Sequence, residues 1–121
     1  IHMLRTFFYG AYKYPREVTW LTGVFLLLLT LGMGFTGYLL PWNQKAYWAT
    51  TVGTEIVGTV PFVGDFLLKA LRGGTDISAV TLARFFSAHI WILPAGIVLL
   101  ISVHMYLIIR LGISNIPSEE E

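Results

Sequence analysis

Two histidines, His89 and His104, stand fifteen residues apart inside a stretch from Phe85 to Ile109 that contains no Asp, Glu, Lys or Arg. Imidazole is expensive in hydrocarbon, so an ionisable side chain in such a run needs a ligand bond or a hydrogen bond to offset its burial. A bound cofactor is the leading reading, because neutral imidazole is a ready metal ligand. On an α-helix, fifteen steps separate the two rings by roughly 22 Å along the axis and about 60° around it. Two well-separated metal sites on roughly one face follow, near opposite membrane surfaces. Pro94 lies between them and can bend the helix, changing that offset. The plainer alternative for either histidine alone is a hydrogen bond to a neighbouring helix.

The elements that hold these residues are membrane spans. The chain has 121 residues, 55% hydrophobic, 15% aromatic and 12% charged, with a mean hydropathy of +0.69, values foreign to a soluble domain of this size. A second charge-free run extends from Val18 to Gln44, and its core, Thr19 to Leu40, is long enough to cross about 30 Å of hydrocarbon. The pattern predicts an all-α membrane protein with spans at 18–41 and 81–110, both too long for a signal peptide. No cysteine is present, which excludes disulfides, zinc–thiolate sites, iron–sulfur clusters and thioether-attached haem within these residues.

Residues 1–17 read as a helix end and a basic, aromatic turn, with Gly10 able to close one helix and Pro15 to begin the next segment. The apolar pattern of Met3, Leu4, Phe7 and Phe8 is that of a helix already under way, so residues preceding Ile1 are expected. Residues 42–80 form a connector cut by Gly53, Gly58, Pro61, Gly64 and Gly73-Gly74. Short surface helices are expected at Tyr47–Val57 and Pro61–Leu71, with Trp42, Tyr47 and Trp48 in the aromatic belt. Residues 111–121 are a tail ending in Glu119-Glu120-Glu121, expected to be disordered. Arg5, Lys13, Arg16 and Arg110 flank the spans on one side, whereas the connector balances its charges, which puts both chain ends on the cytoplasmic or stromal side.

The runs Arg16-Glu-Val-Thr-Trp-Leu-Thr-Gly23, Gly37-Tyr-Leu-Leu-Pro-Trp-Asn-Gln44, Tyr47-Trp-Ala49, Pro61-Phe-Val-Gly-Asp65, Leu71-Arg-Gly-Gly74, Arg84-Phe-Phe-Ser-Ala-His89 and Arg110-Leu-Gly-Ile-Ser114 lie co-linear along nearly the whole chain. Together they resemble the second half of cytochrome b6, the short cytochrome b of b6f- or bc-type quinol oxidoreductases. The resemblance implies part of a four-helix haem bundle, in which this chain supplies the end of the second helix and all of the third and fourth. It implies two b-type haems. His104 matches the inner haem ligand, His2 its partner across that haem, and His89 the outer ligand, whose opposite number is expected upstream, fourteen positions before His2. Bis-histidine ligation leaves iron no open position, which suits electron transfer.

The same match puts Arg5 near a haem propionate, which a fixed guanidinium can pair. It puts Arg84 near the outer site and counts Arg110 among the cofactor-binding residues. Gly23 and Gly37, fourteen residues apart and nearly on one helix face, would let haem lie against the backbone, although glycine equally permits helix packing. Tyr47, Trp48 and Ala49 would form one wall of a quinol site, or simply a surface anchor. Asn43 stands where many relatives have Asp. His2-Met3 at a chain start also fits a cloning scar, and Arg84 an interfacial anchor.

The implied function is electron transfer from quinol oxidised at the outer side to a quinone at the inner side, in a bacterial inner membrane or thylakoid. The implied partners are a Rieske iron–sulfur protein, a subunit IV-like or C-terminal cytochrome b part and a c-type cytochrome, in a dimeric complex that turns over only when assembled. Two alternatives are a di-haem cytochrome b subunit of a dehydrogenase or hydrogenase, and a haem-free structural membrane subunit.

Overall fold

The structure is a computed structural model that describes residues 1–116, so the expected acidic tail at Glu119–Glu121 lies outside the described residues. The described residues form helices and turns with no strand, in keeping with the all-α expectation. In chain order they are α1 (His2–Phe8), α2 (Glu17–Leu39), α3 (Gln44–Gly58), α4 (Gly64–Arg72), α5 (Ala79–Ser87), a π-helical turn (Ala88–Ile92) and α6 (Leu93–Leu111).

Local chemistry explains the boundaries. Glu17 opens α2 with a negative charge in its first turn, where the helix dipole favours it. The helix stops at Leu39, because Leu40 precedes Pro41 and such a residue is pushed out of helical conformation. Asn43 caps α3 by accepting the Ala46 N–H at 2.8 Å, a role Asp would fill as well, so the cap does not depend on charge. The second connector helix begins at Gly64 rather than Pro61, since Phe62 takes a positive φ of 70° and keeps 61–63 as a turn. Gly73 then closes α4 in the left-handed region, at φ 78°. Ser78 and Thr81 cap α5 reciprocally.

The turn at Ala88–Ile92 has a physical cause. Leu93 N–H bonds the Ala88 carbonyl five residues back, and Pro94 follows with no N–H to continue an α-helical ladder. A π-turn takes up one residue more than an α-turn. The fifteen-residue interval from His89 to His104 therefore contains fourteen α-helical steps, the same number that separates Gly23 from Gly37.

The chain divides into two compact units, one made of 1–30 with 95–116 and the other of 31–94. In the first, the Arg16 guanidinium donates to the carbonyls of Gly112 and Ile113, each at 3.2 Å, and so ties the segment after α6 to the start of α2. The second contains the buried core, with Leu39, Ala46, Ile77 and Phe85 joined by Thr50, Thr54 and Thr81. Its centre is Arg72, only 5% exposed. Arg72 donates to Thr54 Oγ1 at 2.9 Å, the Thr75 carbonyl at 2.8 Å, the Thr51 carbonyl at 3.3 Å and Glu55 Oε1 at 3.0 Å. Thr81 donates to the Arg72 carbonyl, so one residue ties α3, α4 and α5 together.

The long helices lack such a core. Within Glu17–Leu39 and the continuous 33-residue stretch Ala79–Leu111, 18-residue segments have mean hydropathies of 1.9 and 2.4, with 6% and 0% of those segments buried within the protein. Helices that are apolar on every side and uncovered by their own chain belong in lipid or against other membrane helices. The protein is an integral membrane protein.

Candidate metal centres

In the first unit, α1, α2 and α6 bring His2 and His104 together. Their ring centres lie 6.3 Å apart with the planes at 87°. Two nitrogen–metal bonds of about 2.0–2.1 Å would take up about 4 Å of that separation, and the two ring radii fill the remainder. The spacing thus suits one metal ion between the rings. Both histidines line a cavity of about 370 Å³ whose other walls include Arg5, Arg16, Trp20 and Gly23. Ser114 and Thr19 also line it, and their hydroxyl oxygens are buried with no hydrogen-bond partner. A mostly apolar cavity with two guanidiniums and two unpaired hydroxyls fits a flat apolar group bearing carboxylates. The Arg5 guanidinium itself lies over the Tyr9 ring, 4.8 Å from its centre.

His104 is positioned from α2. Its Nδ1 is 2.8 Å from Thr22 Oγ1, and an ideal Cβ on Gly23 would stand 3.4 Å from its Cε1. The same arrangement recurs in the second unit. There His89 Nδ1 is 3.2 Å from Thr36 Oγ1, and a Cβ on Gly37 would stand 2.7 Å from His89 Cε1. At both levels a Thr-Gly dipeptide on α2 meets an imidazole, the threonine by hydrogen bond and the glycine by close approach. At each glycine the missing side chain lets a histidine ring come close to the α2 backbone.

The remaining expected residues are distributed more widely. Tyr47 and Trp48 share a cavity of about 450 Å³ with Trp42, Asn43 and Gln44, and the Trp48 indole N–H donates to Gln44 Oε1 at 2.9 Å. Ala49 lines a different cavity, of about 340 Å³, with Phe35, Tyr38 and Thr50. Tyr47 and Trp48 thus share one hollow, and Ala49 lines another. Arg84 donates to the Ala70 carbonyl and ties α5 to α4. Arg110 is exposed in the last turn of α6. Thr22 and Thr36 were not among the expected residues. Their signal is the Thr-Gly dipeptide, repeated at the interval of the glycines. Arg72 likewise gave only a weak signal, an arginine before Gly73-Gly74.

Comparison with known proteins adds an independent line. The family described as cytochrome b(N-terminal)/b6/petB matches residues 1–121. A menaquinol:cytochrome c reductase cytochrome b subunit of Geobacillus thermodenitrificans is 49% identical over 116 residues, which are 95% of this chain and 52% of that protein. A cytochrome b6 of Heliomicrobium gestii is 44% identical over 115 residues, 95% of this chain and 54% of that protein. A cytochrome bc complex cytochrome b subunit of Chlorobaculum thiosulfatiphilum is 50% identical over 114 residues, 94% of this chain and 26% of that protein. The chain thus spans about half the length of the two shorter relatives. Among solved structures, a chain of a hyperthermophilic respiratory complex III aligns with a TM-score of 0.83 at 35% identity, covering 94% of this chain and 31% of that one.

Proposed function

Since the chain belongs to the cytochrome b(N-terminal)/b6 family, we propose that it is a haem b-carrying electron-transfer subunit of a quinol-oxidising membrane complex. The observation that carries this reading is the His2–His104 pair at 6.3 Å, set on an apolar cavity with Arg5 and Arg16. Haem, when bound, supplies one-electron redox chemistry. His2 and His104 would hold the haem of the inner centre, and His89 that of the outer one, each through an imidazole nitrogen. His2 and His104 are the other histidines of the sequence, so a second imidazole at the His89 centre would be supplied by another segment or chain. Arg5 and Arg16 balance carboxylate charge at the inner centre.

The proposed direction is from quinol oxidised on the outer side to a quinone on the inner side. The connector 42–80 then lies outside, because Arg5, Lys13, Arg16 and Arg110 flank the opposite ends of the spans. Tyr47 and Trp48 offer an aromatic surface to a quinol, and Ala49 opens a neighbouring hollow. The proposed partners are a Rieske iron–sulfur protein, a c-type cytochrome and a subunit IV-like or C-terminal cytochrome b part. Family membership favours this reading over a dehydrogenase- or hydrogenase-type cytochrome b and over a haem-free subunit.

Reduced-minus-oxidised visible spectra of the protein purified from membranes test the proposal. Two b-type components that titrate separately are expected, and a protein free of haem would overturn it. Impermeant labelling in sealed, right-side-out vesicles tests the direction. Lys45 and Lys69 should react from outside, and labelling of the connector from the inner side alone would refute it.

A further inference from the structure

Thr22 and Thr36 are both 8% exposed, and each stands one residue before the glycine that clears a histidine ring. A threonine hydroxyl has one proton to donate. Thr22 Oγ1 lies 2.7 Å from the Thr19 carbonyl oxygen, and Thr36 Oγ1 lies 2.8 Å from that of Gly32 and 3.3 Å from that of Met33. A carbonyl oxygen only accepts, so each hydroxyl proton is committed to the helix backbone. Toward the imidazole each hydroxyl then presents a lone pair, and the contact at His104 Nδ1, 2.8 Å, or His89 Nδ1, 3.2 Å, requires the proton to sit on Nδ1. A neutral imidazole carries one N–H, so Nε2 is left with a free lone pair.

From these contacts we infer that Thr22 and Thr36 are positioning residues that select the Nε2-ligating tautomer of His104 and His89 and set the donor strength of each ring. The inference rests on the proposal that these histidines ligate haem iron. A hydrogen bond accepted from Nδ1–H makes the ring a more basic ligand, and a more basic ligand favours the oxidised metal. The contact is shorter at Thr22, so the effect is larger at the His104 centre.

The test uses Thr22→Val and Thr36→Val, which keep the shape and remove the acceptor, each beside the Thr→Ser variant, which keeps it. The readout is the midpoint potential of each b component in membranes, independent of turnover. Thr22→Val should shift reduction of the component lost in His104→Leu by up to about tenfold in equilibrium constant, an upward move of up to about 59 mV for a one-electron couple. Thr36→Val should raise the component lost in His89→Leu by less. Loss of the matching component alone, restored by Ser, supports the assignment equally. Unmoved potentials in both Val variants, or Ser variants that behave like Val, would overturn it. If Thr22→Val fails to assemble, Thr36→Val carries the same test at the other centre. Haem present and lost in the His variants, with Val potentials unmoved, would defeat this inference and leave the proposed function standing. Absence of haem from the unsubstituted protein would defeat the proposed function itself.

Discussion

Replacing Gly37 by alanine should damage the His89 centre, whereas the same change at Gly23 should be tolerated. An ideal Cβ at position 37 stands 2.7 Å from His89 Cε1, 3.2 Å from Nδ1 and 3.3 Å from Nε2. Carbon atoms rest at about 3.5–4.0 Å, so the ring must move by about 0.8 Å or more. The Thr36 contact is already 3.2 Å long, and such a move away from α2 carries it out of hydrogen-bonding range. At position 23 the nearest atom is His104 Cε1 at 3.4 Å, a contact that a shift of about 0.1 Å relieves. Alanine gains about 0.8–1.0 kcal/mol over glycine in a helix interior, while overpacking costs about 1–3 kcal/mol. Gly37→Ala should therefore be neutral to about 2 kcal/mol destabilising, and Gly23→Ala neutral to about 1 kcal/mol stabilising. The assay is haem content per protein together with the midpoint potential of each b component. Equal damage from the two substitutions would refute the argument, and would mean that both glycines clear a flat macrocycle instead of a ring.

Two further substitutions probe the elements behind the sites. Pro94→Ala removes the reason for the π-turn, so the helix should be restabilised by up to about 3 kcal/mol while the His89 component is perturbed and the His104 component is not. An unaltered His89 component, followed by redox titration, would show that the π-turn does not depend on Pro94. Arg72→Met should destabilise the connector by about 2–3 kcal/mol through lost hydrogen bonds to Thr54, Thr51 and Thr75. Glu55→Gln should cost under about 1 kcal/mol, because that carboxylate is 62% exposed. Limited proteolysis between α3 and α5 as a function of denaturant separates the two outcomes, and equal sensitivity would contradict the assignment of Arg72 as the tie.

The spans and the surface helices were legible because the charge-free runs and the glycine and proline punctuation record them directly. The histidines stood out for the same reason, as the ionisable groups inside a charge-free run. The threonines did not, because a threonine in a membrane helix ordinarily bonds its own backbone, and Thr22 and Thr36 do that as well. Only the three-dimensional contact with Nδ1 reveals their second partner. The glycine interval recorded two places of close approach on one helix face, and the structure adds that an imidazole stands beside each of them. The π-turn escaped the α-helical count, since an offset of about 60° assumes an unbroken helix. Tyr47 and Ala49 are two residues apart, so on a helix they point about 200° apart, and they line different hollows.

The most direct test of the central claim is a redox-resolved difference spectrum of His2→Leu, His104→Leu and His89→Leu variants prepared in the same membranes. The rings of His2 and His104 are 6.3 Å apart, so their losses should coincide. The account predicts that His2→Leu and His104→Leu abolish the same b component, while the component abolished by His89→Leu survives in both. Retention of both components in His2→Leu, or loss of the His89 component in its place, would contradict it.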